Sequence, residues 1–175
     1  RICNQVLVME CGKLVWLGDV DGGLNAYKKV TRIKAVSEKI LFNPLTSCVV
    51  TGPTAPINYG DELLLKIQVE SEEMSALFPR VVLTNTFGQV SAEGNFHFNK
   101  LNPIKISKGI QEFTIRITSL ALQKGDYNIH INLFNLAGGM VGNCSNCWRV
   151  SINGSSIGEI PYQVRLTVSE KTHQL

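Results

Sequence analysis

Beyond about Leu45 the chain alternates apolar and polar residues. Leu63, Leu65, Ile67 and Val69 interleave with Leu64, Lys66, Gln68 and Glu70, and Val81 and Leu83 with Arg80, Val82 and Thr84. Phe113, Ile115 and Ile117 interleave with Glu112, Thr114 and Arg116, and Tyr127, Ile129, Ile131 and Leu133 with Asn128, His130, Asn132 and Phe134. Trp148, Val150 and Ile152, then Val164, Leu166 and Val168, repeat the pattern. A period of two sends successive side chains to opposite faces, so these runs predict half-buried antiparallel strands. Turn signals separate them, among them Tyr59-Gly60-Asp61, Phe87-Gly88, Lys108-Gly109, Lys124-Gly125-Asp126 and Gly138-Gly139. Weaker strands are expected at Ser47–Thr51 and Gln89–His97. So many short strands with almost no helix predict a mainly β fold, an immunoglobulin-like or jelly-roll antiparallel β-sandwich. The Gly125-Asp126-Tyr127 turn should place an inward aromatic in its core.

The first part of the chain follows a different pattern. Val6 to Met9 and Leu14 to Leu17 read as a hairpin across Glu10-Cys11-Gly12-Lys13. Asp19 or Asp21 can cap a helix that carries Leu24, Tyr27 and Val30 on one side. Ile33, Val36, Ile40 and Leu41 then predict a second, amphipathic helix ending at Pro44. The expected organisation is a hairpin and helix over 1–30, a helical linker over 31–44, the sandwich over 45–170 and a short tail over 171–175.

Composition narrows the function classes. With 44% hydrophobic and 18% charged residues the chain is globular and not disordered. A net charge of +3, with no basic stripe interleaved with aromatics, argues against nucleic-acid binding. No apolar run approaches the ~20 residues that span a bilayer. The chain opens on Arg1 within a strand-like pattern and reads as a piece of a longer protein. Five unevenly spaced cysteines make a poor disulfide framework and fit a reducing compartment.

The N-terminal pattern Cys3, Val6, Val8, Gly12, Gly18, Asp19 resembles the last hairpin of ABC-transporter ATPase domains, where it follows the switch histidine. No phosphate-binding G-x-x-x-x-G-K-[ST] occurs in this chain, so ATP hydrolysis is not among its own activities. The remainder is similar to the C-terminal domain of Wzt-type proteins, the ATPase subunits of O-antigen exporters. That resemblance rests on Ile57–Leu63, Leu83–Val90, Leu122–Tyr127 and Cys147–Ile152, with Asn85 standing where that family commonly has Asp.

The resemblance implies a non-catalytic carbohydrate-binding domain. It would recognise the exported O-antigen or a related polysaccharide, including a modified non-reducing terminus, and couple recognition to ATP-driven export. It further implies a homodimer working with a membrane transport subunit at the cytoplasmic face of the bacterial inner membrane. No cofactor is expected in this chain, ATP and Mg belonging to the parent ATPase domain. The terminal strand Tyr162–Val168, following Asn153-Gly154-Ser155-Ser156, is placed to exchange between protomers. The alternative class is a protein-binding regulatory or dimerisation domain of an ABC subunit. An importer-type OB-like barrel does not suit strands this numerous and long.

Asn128, His130 and Asn132 project from one side of the most regular strand, and each side chain can both donate and accept, as sugar hydroxyls require. In an immunoglobulin-like order the Arg80–Asn85 strand adds Arg80, Val82 and Thr84 to that face, and the Trp148–Ile152 strand adds Arg149 or Ser151. Either this is a glycan-binding surface or it is a solvated sheet face. Adjacent Phe96 and His97 point opposite ways, so one of the two is expected on the surface, and it and Phe134 are the aromatic candidates for stacking on a sugar; Trp148 is expected in the core. The expected carbohydrate contacts are therefore Asn128, His130, Asn132, Arg80, Thr84 and His97. Cys144-x-x-Cys147 lacks the partner ligands of a zinc site and the βαβ setting of a redox motif, and reads as two reduced thiols. The acids Asp61, Glu62, Glu70, Glu72 and Glu73 lie at turns and on exposed faces, with no pairing suited to glycoside hydrolysis.

Overall fold

The computed structural model describes residues 4–30, 37–96, 100–118, 120–153, 162–163 and 165–171. An N-terminal hairpin (β1, Val6–Glu10; β2, Lys13–Gly18) and a helix (α1, Val20–Val30) precede twelve strands. These are β3 (Glu38–Leu41), β4 (Leu45–Thr51), β5 (Ile57–Asn58), β6 (Leu63–Ser71), β7 (Ser75–Asn85) and β8 (Val90–Asn95). They continue as β9 (Ile104–Ile106), β10 (Gly109–Thr118), β11 (Gly125–Phe134), β12 (Met140–Asn153), β13 (Tyr162–Gln163) and β14 (Arg165–Lys171).

Two sheets form the sandwich. The smaller runs β14-β10-β6-β4, and the larger β13-β8-β7-β11-β12-β3, with β5 added beside β12 and β9 beside β7. Apart from β5 on β12 and β13 on β8, which are parallel, the pairings are antiparallel. The alternation in the sequence is the reason these segments form strands. In β6, Leu63, Leu65, Ile67 and Val69 are fully buried while Leu64, Lys66, Gln68 and Glu70 are exposed. They meet Phe113, Ile115 and Ile117 of β10 and, from the facing sheet, Val81, Leu83, Ile129, Ile131 and Leu133 in one core. Slipping any of these strands by one residue would turn its apolar set to water, so the core pins the register.

Local polar bonds close the turns. The buried Tyr127 donates its hydroxyl to the Gln123 carbonyl at 3.0 Å, a tether at the start of β11 like the tyrosine corner of immunoglobulin folds. After β7, Asn85 Oδ1 accepts the Phe87 and Gln89 amides, each at 3.0 Å, while its Nδ2 donates to Gln89 Oε1 at 2.9 Å. An aspartate would keep both accepted bonds and lose the donated one, which accounts for asparagine here. Gly88 follows with φ +79°, a conformation that an L side chain resists.

The hairpin and α1 pack on each other. Asp19 caps α1 by accepting the Gly22 amide at 2.8 Å, and the Trp16 ring lies against Gly22 and Gly23.

The expected second helix is corrected over its second half. Glu38–Leu41 is a strand, pairing with Gly142–Ser145 of β12, and Pro44 sits in the turn between β3 and β4. Edge pairing supplies backbone partners and lets Leu41 pack on the core, and this tertiary gain overrides a helical spacing. Residues 31–36, including Ile33 and Val36, lie outside the described residues. Among the described residues no helix is long and apolar enough to cross a membrane.

Candidate functional site: a half-buried polar face on the larger sheet

The register brings the expected residues onto one surface. Asn128 pairs with Thr84 on one side and Arg149 on the other; Asn132 pairs with Arg80 and Asn143; His130 pairs with Val82. Asn128, His130, Asn132, Arg80 and Thr84 thus share the outward face of β7 and β11. His97 lies outside the described residues.

This face is not an ordinary wet sheet. Phe78, Arg80, Glu93, Asn128, His130, Asn132, Asn143, Ser145 and Ser151 are all half-buried, whereas the outward residues of β6 are exposed. Val82 and Thr84 are only 8% and 7% exposed although they point away from the core. Long side chains lie over the sheet and shelter its centre. Arg80 donates from Nε and Nη2 to the two carboxylate oxygens of Glu93 on β8, at 2.8 and 2.9 Å, a two-pronged ion pair that pins both side chains. The bonded Glu93 holds the Arg80 guanidinium above its ordinary pKa. At the other end Asp126 accepts from Arg149 at 2.5 Å and from the Ser151 hydroxyl at 2.6 Å.

His130 is engaged at both ring nitrogens. The backbone N–H of Asn146 donates to Nδ1 at 3.2 Å, and Nε2 lies 2.9 Å from the Thr84 hydroxyl. A nitrogen that accepts an N–H carries no proton, so this network assigns the proton to Nε2, which donates to Thr84 Oγ1. The Thr84 hydroxyl proton is then free to point elsewhere. Asn146 reaches the ring because the pairing of β11 with β12 is irregular between Ile129 and Ile131, and Asn146 itself has φ +49°. His130 therefore holds the Thr84 hydroxyl and has both ring nitrogens engaged. The side-chain amides of Asn128 and Asn132, by contrast, have no partner among the described residues. At four residues apart on one strand they stand roughly 13 Å from each other.

Sequence reasoning missed Phe78. It pairs directly with Phe134 across β7 and β11, giving two half-buried rings beside Asn132 and Arg80. Phe78 is in phase with Arg80, Val82 and Thr84, and that spacing was the available signal. Trp148 packs at the margin of the core and donates its indole N–H to the Pro53 carbonyl at 3.2 Å.

The described cysteines, Cys11, Cys48, Cys144 and Cys147, are free thiols. The Cys48 and Cys144 thiols face each other as hydrogen-bond partners across the gap between the sheets, and this together with burial pushes the Cys48 thiol up. Burial pushes Cys147 up to about 12, and its thiol donates to the Ile129 carbonyl. No group of three or more His, Cys, Asp or Glu among the described residues is arranged to hold a metal ion.

Burial also depresses the pKa of His130 below its ordinary value. The unfolded chain then binds a proton before the folded one does, so this stability is present above the ordinary histidine pKa of about 6.5 and is lost as pH falls below it. Acidification from pH 7.5 to 5 is expected to lower the melting temperature. His130→Gln should flatten that dependence, and an unchanged slope in thermal melts across this range would contradict the assignment.

No protein-family model and no curated protein matches the sequence. Among solved structures the chain is similar to the C-terminal domain of Wzt, with a TM-score of 0.58 and 11% identity over 70% of this chain and 81% of that one. It is also similar to a Niemann-Pick type C2 protein from Japanese carpenter ant, with a TM-score of 0.41 and 8% identity over 67% of this chain and 99% of that one. For a beta-glucosidase from Listeria innocua in complex with glucose the TM-score is 0.38 and the identity 12%, over 70% of this chain and 17% of that one. Nothing about this chain follows from the last two. The two-sheet architecture, its strand order and the first of these matches together give one conclusion: this chain has the fold of the C-terminal domain of Wzt.

Proposed function

We propose that this chain is the non-catalytic carbohydrate-binding part of a polysaccharide ABC exporter ATPase subunit, and that it takes the exported glycan on the outward face of β7 and β11. The observation that carries the reading is the half-buried face itself, on a Wzt-like fold. It combines side-chain amides at Asn128 and Asn132 that have no partner among the described residues, an oriented Thr84 hydroxyl and the adjoining rings of Phe78 and Phe134. Amides supply donors and acceptors together, and rings supply the apolar surface on which the C–H side of a sugar packs. Glu93 and Asp126, the carboxylates nearest the centre of the face, are bonded to arginines and do not form a pair suited to glycoside cleavage.

In this reading residues 1–30 are the tail of the ATPase domain. Leu7, Met9, Leu14 and Leu17 of the hairpin are exposed, as expected of strands whose other face is covered by the rest of such a domain. ATP and Mg act in that domain. The polysaccharide and a membrane transport subunit are the partners, at the cytoplasmic face of the inner membrane. The subunit works as a homodimer; β14, which pairs here with β10 of its own chain, could meet the same register in a partner. Recognition would include the modified non-reducing end of the glycan and would license transport.

Calorimetric titration of the chain with the host's own polysaccharide, modified and unmodified, tests this. Saturable binding to at least one form is expected. Binding to neither would leave the protein-binding or dimerisation reading, which the exposed Met74 and Leu136 at one end of the sandwich favour.

A further inference from the structure

An anion site needs positive charge that the protein has not already neutralised, or a cluster of backbone N–H groups aimed at one point. The outward face of the larger sheet offers cations that are already spoken for. Arg80 spends its Nε and Nη2 donors on Glu93, and Arg149 is held by Asp126. The remaining charges in register with this face are Lys105 of β9, beside Ala76, and Glu38 of β3, beside Ser145; both are exposed at its rims. Among the described residues the face thus carries three cations and three carboxylates, and Lys105, the one cation of the three in no ion pair, stands at the rim, eight residues along β7 from the Thr84 level. His130 adds no charge in the bonded form, because Nδ1 accepts the Asn146 amide and Nε2 faces the Thr84 hydroxyl. A phosphate, sulfate or carboxylate entering the centre of the face, between Arg80 and Arg149, would have to displace Glu93 or Asp126 from its arginine, and would leave that carboxylate facing the newcomer. What the centre of the face does leave unpartnered is neutral: the amides of Asn128 and Asn132.

We propose that this face selects an uncharged glycan and discriminates against uronate-, phosphate- or sulfate-bearing ones, with Glu93 and Asp126 as the residues that set the selection. The inference rests on the carbohydrate-binding reading above and goes beyond it by naming the class of sugar.

The test is a glycan array carrying neutral oligosaccharides alongside their uronate, phosphorylated and sulfated counterparts. It is probed with the whole chain and with Glu93→Gln, and folding of the variant is checked by circular dichroism. Every bound glycan should be neutral, with affinity changing less than about twofold between 50 and 500 mM NaCl, since no ion pair with the ligand is there to be screened. Glu93→Gln frees Arg80 and should bind at least one acidic counterpart tenfold or more tightly than the unmodified chain does, at low salt. An acidic glycan bound by the unmodified chain in preference to its neutral counterpart would overturn the charge selection and leave the carbohydrate reading standing. So would a folded Glu93→Gln with no gain for any acidic glycan. If no glycan on the array bound at all, the carbohydrate reading itself would fall.

Discussion

Phe113→Ala is expected to lower the free energy of unfolding by about 3–5 kcal/mol, out of a total of about 5–15 kcal/mol for a domain. Phe113 is 1% exposed on β10, an interior strand held by β6 on one side and β14 on the other. Its backbone is opposite Ile67 and Glu170, and its ring joins the core shared by the two sheets. Removing the ring loses its transfer free energy and leaves a void. Two hydrogen-bonded ladders hold the backbone on either side, so the walls cannot collapse into it and the cost falls at the upper end of the range. Urea unfolding reads this as a large drop in midpoint at an unchanged m-value. A loss below about 1 kcal/mol would mean that the ring is not the filler between the sheets described above.

The second large effect is expected at Gly22→Ala. On helix propensity alone this change should help by about 1 kcal/mol. Packing reverses the sign. A Cβ at Gly22 would stand 2.2 Å from Cζ2 of Trp16, 2.8 Å from Cη2 and 2.9 Å from Cε2. The obstacle is the body of a rigid ring, so either the indole leaves its place or α1 moves off the hairpin, at a cost of about 1–3 kcal/mol or more. Val8 and Ala26, buried in this small unit, are not members of the sandwich core. The damage should therefore stay local, with the Trp16 fluorescence shifted to the red while the main cooperative transition keeps its midpoint. A variant with unaltered fluorescence and stability would show that the ring does not occupy the helix face.

How much of this was legible in the sequence depends on how local each feature is. The strands of the core were readable because burial of one face forces a period of two, as in Leu63–Val69 and Tyr127–Leu133. A cap at Asp19 or Asp21 and an inward Tyr127 after a turn were readable for a similar reason, since both are decided within a few residues, whereas the tether of Tyr127 to Gln123 came only with the structure. The strand at Glu38–Leu41 was not, because its four residues are shaped by an edge that β12 offers from a hundred residues away. The short strands at Ile57–Asn58 and Ile104–Ile106 were missed too, being too brief to show a period.

The candidate face divides in the same way. That Arg80, Val82 and Thr84 join Asn128, His130 and Asn132 follows from strand order, and it was expected. The bonding of those side chains does not follow. The pairing of Arg80 with Glu93 requires the register of β7 on β8. The capture of His130 by Asn146 requires an irregularity in β12 that no spacing announces. Because of that capture both ring nitrogens of His130 are engaged, while the side-chain amides of Asn128 and Asn132 have no partner among the described residues.

The central claim is that a glycan lies on the outward face of β7 and β11, and the most direct test is to map where it sits. Backbone amide resonances would be followed during titration with the host's polysaccharide. Shifts are expected to concentrate at Phe78–Thr84 and Asn128–Phe134 and to be abolished in the Asn128→Ala, Asn132→Ala double variant, which should remain folded. Shifts confined to the outward side of β6 and β10, with this face silent and the double variant binding as tightly as the unmodified chain, would contradict it.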